Sequence, residues 1–190
     1  MPAVSMKNKV TQYTYISLLR GINVSGQKII KIDELKKMYE SCGFRNVKSY
    51  IQSGNIIFET PSGTPEKLVK MIEKRIKDLF SFDVTVIMRT PDEFEKITRV
   101  NPFAKTKPVE KLYVTFLSET INERKTELLI KYKSDKEDFG LIGNELYLYY
   151  PDGAGRTKLT NNIIESKLGV KATTRNWNTV NKLFEMSKEL

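Results

Sequence analysis

The stretch VKSYIQSGNIIFE, Val47 to Glu59, decides the fold, because it contains two short strands and the turn that joins them. Residues 47–51 and 55–59 combine β-branched and aromatic residues in short runs, which is typical of strands. Gln52-Ser53-Gly54 lies between the runs and has the length and composition of a hairpin turn. The stretch therefore predicts a β-hairpin near the middle of a structural unit.

An amphipathic helix is predicted on each side of this hairpin. Apolar residues recur at helical spacing over residues 32–42, and Gly43 follows where a left-handed residue commonly ends a helix. After the hairpin, Thr64 is a helix cap and Pro65 suits the first helical position. The apolar stripe of this second helix runs to Leu79. The two helices thus frame the hairpin in sequence.

Outside the helices, residues 13–18 and 84–88 alternate in the manner of strands. The order is then β-α-β-β-α-β, which is the ferredoxin-like pattern. The sequence pattern predicts the same order again, as a strand at 112–117, a helix at 123–132, a hairpin around Gly143-Asn144, a helix at 160–168 and a strand at 171–174. We therefore expect an α+β fold of tandem ferredoxin-like units with a C-terminal helix packed on the second.

The expected domain organisation follows from these elements. Residues 1–10 are expected to be a flexible tail, and residues 11–89 the first ferredoxin-like unit. A capping box at Thr90-Pro-Asp-Glu93 begins a helical connector over residues 90–109. Residues 110–190 then form the second unit with the C-terminal helix.

Charge is the main compositional signal. The chain of 190 residues has 32 Lys and Arg against 23 Asp and Glu, a net charge of +9. Positive charge favours a phosphate-bearing partner without identifying it, and it is equally compatible with an ordinary solvated surface.

The chemistry that the sequence excludes is better defined. There is no histidine, so a Ser-His-Asp or Cys-His catalytic site cannot be built from this chain alone. The only cysteine, Cys42, cannot form an internal disulfide, which fits a reducing, cytoplasmic location. No segment approaches the length of a membrane span, and no cofactor motif or metal-spaced Cys/His set is present. We therefore expect no membrane partner, no metal and no cofactor, and leave enzymatic activity open.

Four segments carry a family resemblance: Leu18-Leu-Arg-Gly-Ile-Asn-Val-Ser-Gly26, Ser49-Tyr-Ile-Gln-Ser-Gly-Asn-Ile-Ile-Phe58, Gly155-Arg-Thr-Lys-Leu-Thr160 and Thr173-Thr-Arg-Asn-Trp-Asn-Thr-Val180. In this order they resemble a widespread bacterial family known as domain of unknown function 1697. One departure is Ser25, where the family commonly has glycine. The resemblance implies a tandem ferredoxin-like architecture and brings no established activity.

Polar side chains on predicted loops are the candidate ligand-binding residues. They are Arg20, Asn23, Gln52, Ser53, Asn55, Arg156, Lys158, Arg175 and Asn176. Because the first and third strands of this pattern are antiparallel neighbours, Arg20 and Ser53 are expected at the same end of the sheet. Arginine with nearby amide and hydroxyl donors suits an oxyanion. Alternatively, Arg20 pairs with a carboxylate at the domain interface, the turn residues bind one another, and Asn176 caps a helix.

Two further hypotheses remain open beside a small anionic ligand. Pairs of tyrosines, Tyr13 with Tyr15 and Tyr147 with Tyr149, share strand faces and would suit stacking of RNA bases, or would be buried between the two sheets. The third hypothesis is a histidine-independent enzyme. The sequence leaves the oligomeric state unknown.

Overall fold

A computed structural model describes residues 11–24 and 26–190, so the expected tail at 1–10 and Ser25 lie outside the described residues. The first half contains β1 (Tyr13–Leu19), α1 (Ile32–Ser41), β2 (Arg45–Ser49), β3 (Asn55–Thr60), α2 (Pro65–Phe80), β4 (Val86–Arg89) and α3 (Pro91–Arg99). The second half contains β5 (Leu112–Leu117), a 3₁₀ helix (Glu123–Tyr132), β6 (Asp138–Ile142), β7 (Glu145–Tyr149), α4 (Asn161–Leu168), β8 (Ala172–Asn176) and α5 (Trp177–Ser187).

The strands form two four-stranded antiparallel sheets. Their orders are β2-β3-β1-β4 and β6-β7-β5-β8, so the second sheet repeats the arrangement of the first. The first strand of each half pairs with the third and the fourth, as the β-α-β-β-α-β pattern requires. The expected α+β fold with two such units is confirmed.

Each sheet buries both faces. In β1, Tyr15 and Leu19 face α1 and α2, whereas Ile16 and Leu18 face the second half. This alternation follows from the two-residue period of a strand. One outer core therefore forms between each sheet and its own helices, and a central core lies between the two sheets.

The C-terminal helix packs on both halves, not on the second unit alone as expected. Its buried Trp177, Val180 and Leu183 belong to the central core, together with Phe94 and Ile97 of α3. Helix α5 contacts α3 and strands of both sheets, so it does not pack on the second unit alone. The helices α3 and α5 form a shared middle layer, and each follows directly from the last strand of its half.

Several element bounds differ from the sequence prediction. Strand β2 ends at Ser49, and Ile51 has a positive φ of 51° in the turn, so the predicted strand to Ile51 was wrong there. The segment 123–132 is 3₁₀ rather than α-helical. Strand β8 extends to Asn176, which includes Arg175 in the sheet. Asn176 then caps α5 by accepting a hydrogen bond from the Thr179 N–H.

Candidate functional site

Arg175 lies at the centre of a buried polar cluster between the two halves. Its Nε donates to Asn55 Oδ1 at the start of β3. One terminal nitrogen donates to the carbonyls of Leu19 and Ser53, and the other to Thr173 Oγ1 and the Thr174 carbonyl. All five N–H groups thus have acceptors. Burial lowers the pKa of the Arg175 guanidinium to about 10, so the group is still charged at neutral pH.

The hairpin residues that the sequence singled out bind their neighbours. Asn55 Nδ2 donates to the Tyr50 carbonyl and to Ser53 Oγ, which pins the turn. Asn23 Nδ2 donates to the Gln52 carbonyl at 2.8 Å, and so ties the loop after β1 to the hairpin. The structure therefore brings these residues to one end of the sheet. The side chains of Asn23, Ser53 and Asn55 hydrogen-bond within the protein, whereas Gln52 is exposed and contributes only its carbonyl.

Arg20 begins beside this cluster but turns toward α4 of the second half. Its Nε and one terminal nitrogen donate to the two carboxylate oxygens of Glu165, at 2.7 and 2.6 Å. The same terminal nitrogen donates to Asn162 Oδ1. Glu165 also accepts a hydrogen bond from the Ala172 N–H. Of the alternatives for Arg20, the structure contains the ion pair between the halves.

The other predicted site residues are separate from this cluster. Arg156 and Lys158 are exposed on the loop before α4, and neither side chain has a hydrogen bond or an ion pair within the described residues. Asn176 is engaged as the cap of α5. These three do not line the cavities described next.

A basic cleft of about 710 Å³ lies where the two halves meet. Its lining residues are Arg20, Lys28, Lys70, Glu73, Lys74, Lys77, Asp83, Val84, Thr85, Glu165 and Lys171. Six cationic side chains face three carboxylates, which leaves a net excess of three positive charges. We call this space the basic cleft.

Most cations of the basic cleft have partners. Lys77 pairs with Asp83 at 2.8 Å, which raises the pKa of the lysine and lowers that of the carboxyl. Lys74 pairs with Asp78, and the Lys28 ammonium donates to the Asp83 carbonyl. Arg20 is held by Glu165.

Lys70 of α2 and Lys171 before β8 differ from these, because neither ammonium has a hydrogen-bond acceptor, or a carboxylate within 4.0 Å, among the described residues, whereas Lys28 at least binds a carbonyl. The two halves thus contribute one uncompensated lysine each. Neither was among the residues predicted from the sequence, where they look like any surface lysine.

A second cavity of about 500 Å³ adjoins the basic cleft and shares Lys70, Glu73, Thr85 and Lys171 with it. Its further lining residues are Tyr15, Pro65, Glu66, Val69, Val86, Ile87, Met88, Arg89, Thr90, Glu93, Ser118 and Asn144. Strand β4 is one of the two edge strands of the first sheet and lines this cavity. We call this cavity the β4 groove. The two uncompensated lysines lie where it joins the basic cleft.

The tyrosines do not form an open platform. Tyr147 is fully buried between the sheets, where its hydroxyl donates to the Ile97 carbonyl, and Tyr149 is partly buried in the same core. Tyr15 instead packs against Phe58 on the helix-covered face of the first sheet, and only Tyr13 is largely exposed. Burial between the sheets is therefore right for Tyr147 and Tyr149, and wrong for Tyr13 and Tyr15.

Comparison with known proteins places the chain in a family. A family model described as a protein of unknown function, DUF1697, matches residues 13–147. The chain belongs to the DUF1697 family. The family resemblance read from the sequence is thus confirmed. The description of the family assigns no activity to its members.

A solved structure with the same fold is that of the conserved bacterial protein SP0830 from Streptococcus pneumoniae. It has a TM-score of 0.73 and 20% sequence identity, and the match covers 93% of this chain and 99% of that one. At this identity the likeness concerns the fold. A search of curated proteins found no match. In the described parts of this DUF1697 chain, no helix has both the length and the apolar character needed to cross a membrane.

Proposed function

We propose that this DUF1697 protein binds a small phosphate-bearing ligand in the basic cleft between its halves. The observation that carries the proposal is the pair Lys70 and Lys171, which face one cavity from two halves without a carboxylate within 4.0 Å among the described residues. Positive charge concentrated in a concave site favours an anion, because low-dielectric walls strengthen its field. A cavity of this size is typical of small-molecule sites.

The paired cations support the same ligand. Arg20 is fixed by Glu165, so its position requires no ordering when a ligand binds. Hydrogen bonds between charged partners are about twice as strong as neutral ones. The lysines would supply new bonds to a phosphate, while the ion pairs keep the walls of the cleft in place.

Calorimetric titration with inorganic phosphate and with ribose 5-phosphate tests the proposal. We expect saturable binding that weakens as salt rises, because screening reduces the attraction of a partly exposed site. Lys70→Gln and Lys171→Gln should each weaken ribose 5-phosphate binding by roughly tenfold, which corresponds to one charge-assisted hydrogen bond.

Matched controls are lysines away from the cleft, Lys37→Gln on α1 and Lys136→Gln before β6, both exposed. They change the net charge by the same amount and should leave the affinity nearly unchanged. Equal losses in all four variants would mean a non-specific effect of net charge, and no binding of either probe would overturn the proposal.

A further inference from the structure

Strand β4 directs backbone N–H and C=O groups away from its sheet, on the side where it lines the β4 groove. Strand β4 pairs with β1 on one side only. The Arg20 N–H donates to the Thr85 carbonyl, so the backbone groups of Thr85 face β1. Backbone direction alternates along a strand, and Val86 and Met88 therefore direct theirs outward. The Val86 N–H agrees with this, because it donates to Glu73 Oε1 at 2.8 Å.

Two of the four outward groups have no hydrogen-bond partner within the part of the chain that the structure describes. Arg89 donates to the Met88 carbonyl, and Glu73 accepts from the Val86 N–H. The Val86 carbonyl and the Met88 N–H are left without a partner among the described residues. A carbonyl and the N–H two residues later lie side by side on an edge strand, and together they present one acceptor and one donor.

We infer that the ligand of the proposed function is a nucleotide, whose base binds the edge of β4 while its phosphate binds Lys70 and Lys171. A nucleobase carries an N–H donor beside an acceptor on one edge, and proteins read bases through that edge. The Val86 carbonyl and Met88 N–H are complementary to such a pair. This inference rests on the proposed function, because it requires the phosphate site.

The two cavities differ in net charge, and this difference matches the two parts of a nucleotide. The basic cleft has an excess of three positive charges, whereas the β4 groove has three cationic side chains, Lys70, Arg89 and Lys171, against three glutamates. An uncharged base suits the groove and a phosphate suits the cleft. The shared lysines lie at the junction, beside Thr85, so the phosphate would bind one to three residues along the strand from the base.

The walls of the groove suit the faces of a ring. Pro65 and Val69 of α2 provide apolar surface on one side. On the other side, Ser118 and Asn144 of the second half provide hydroxyl and amide groups. Ligand sites commonly combine apolar walls with a few polar groups that fix orientation.

A titration panel on the unaltered protein tests the inference: inorganic phosphate, ribose 5-phosphate, AMP, GMP, CMP and UMP. We expect at least one nucleotide to bind tenfold or more tightly than ribose 5-phosphate, which carries the phosphate and sugar without the base. If ribose 5-phosphate binds and no nucleotide exceeds it, the inference is overturned and the proposed function stands. If ribose 5-phosphate does not bind, the phosphate site itself fails.

A pair of variants tests the backbone contact. Met88→Pro removes the N–H, and proline is tolerated on an edge strand. Met88→Ala removes the same side chain from the core and keeps the N–H. We expect Met88→Ala to keep the preference for the best nucleotide over ribose 5-phosphate, and Met88→Pro to lose it. An equal preference in both variants would overturn base binding at β4; should Met88→Pro fail to fold, the ligand panel decides alone.

Discussion

Arg89 and Arg175 occupy equivalent positions in the two sheets, and each crosses to the opposite half. Arg89 of β4 is opposite Ile16 of β1, and Arg175 of β8 is opposite Val114 of β5. Arg175 binds the carbonyl that ends β1 and the side chain that begins β3, Asn55.

Arg89 reciprocally binds the carbonyl that ends β5, that of Leu117, and the side chain that begins β7, Glu145. The two halves are thus joined by two equivalent arginine contacts. The side-chain acceptor is the amide of Asn55 for Arg175 and the carboxylate of Glu145 for Arg89. Both arginines are buried.

Replacing Arg175 should be strongly destabilising. Arg175→Met leaves Asn55 Oδ1 and the Leu19 carbonyl buried, and the Ser53 carbonyl partly buried, without their donor. Each unsatisfied buried group costs about 1–3 kcal/mol, so we expect a loss of at least about 3 kcal/mol in the free energy of unfolding, measured in urea. Arg175→Lys keeps the charge with fewer donors and should lie between. A loss below about 1 kcal/mol would contradict this role.

Glu145→Gln should reveal a buried carboxyl through the pH dependence of stability. Burial raises the pKa of Glu145 above its ordinary value, although Arg89 opposes the shift. The folded protein then keeps this proton at a pH where the unfolded chain loses it, so the stabilisation is present at low pH and is lost as pH rises through the folded pKa.

The glutamine variant lacks this titration. Its free energy of unfolding relative to the unaltered protein should therefore rise from about pH 4.5 toward pH 7. Its amide oxygen can still accept from Arg89, as Asn55 accepts from Arg175. Urea unfolding of both proteins at several pH values measures this difference in stability. If the difference instead falls from about pH 4.5 to pH 7, the pKa of Glu145 is lowered by folding, contrary to the prediction.

Arg20→Ala should weaken phosphate binding as well as stability. The variant leaves the Glu165 carboxylate uncompensated in the basic cleft, where it repels an anion. We expect the free energy of unfolding to fall by about 1 kcal/mol, which is near the upper end of the range for ion pairs at or near the surface, because this pair is partly buried. The double variant Arg20→Ala with Glu165→Gln should recover part of the ribose 5-phosphate affinity.

A second ion pair between the halves provides the control. Lys48 and Glu189 are 3.3 Å apart and more exposed. Lys48→Ala should change stability little and phosphate binding hardly at all. Unchanged affinity in Arg20→Ala would remove Glu165 and Arg20 from the proposed site.

Local sequence patterns predicted the helices and strands well, because each helix or strand is determined largely by residues that are neighbours in sequence. The alternation of Ile16 and Leu18 and the Thr90 capping box are local signals, and both are present in the structure. The shared end of the sheet for Arg20 and Ser53 followed from strand order alone. Both hairpins contain a Gly-Asn pair, Gly54-Asn55 and Gly143-Asn144, but these pairs are not equivalent in the two halves. The Leu19 N–H binds the Gly54 carbonyl, whereas the Leu117 N–H binds the Asn144 carbonyl, so the pairs are one residue out of step.

The site depended on contacts that no local pattern reports. Lys70 and Lys171 are 101 positions apart in the sequence numbering and meet only because the halves dock. The position of α5 had a weak signal, because Phe184 and Met186 add apolar surface beyond the stripe of Val180 and Leu183. A helix that is apolar on more than one side is buried between partners.

Gly54 should not tolerate a side chain, and Gly21, which has a similar backbone conformation, can separate steric overlap from backbone strain. A Cβ on Gly54 would lie 2.7 Å from Leu19 Cβ and 2.8 Å from Ile22 Cδ1, both in fully buried residues. Gly21 has a similar positive φ, +69° against +74°, and open space around it.

Gly21→Ala therefore measures backbone strain alone, about 1–2 kcal/mol, whereas Gly54→Ala adds overpacking of about 1–3 kcal/mol. The Gly54 variant should also disturb the turn whose carbonyls bind Arg175, because the backbone must shift to relieve the contact. We expect Gly54→Ala to unfold at clearly lower urea concentration than Gly21→Ala. Equal midpoints would show that the loop carrying Ile22 moves aside freely, and that the turn beneath Arg175 is not rigidly packed.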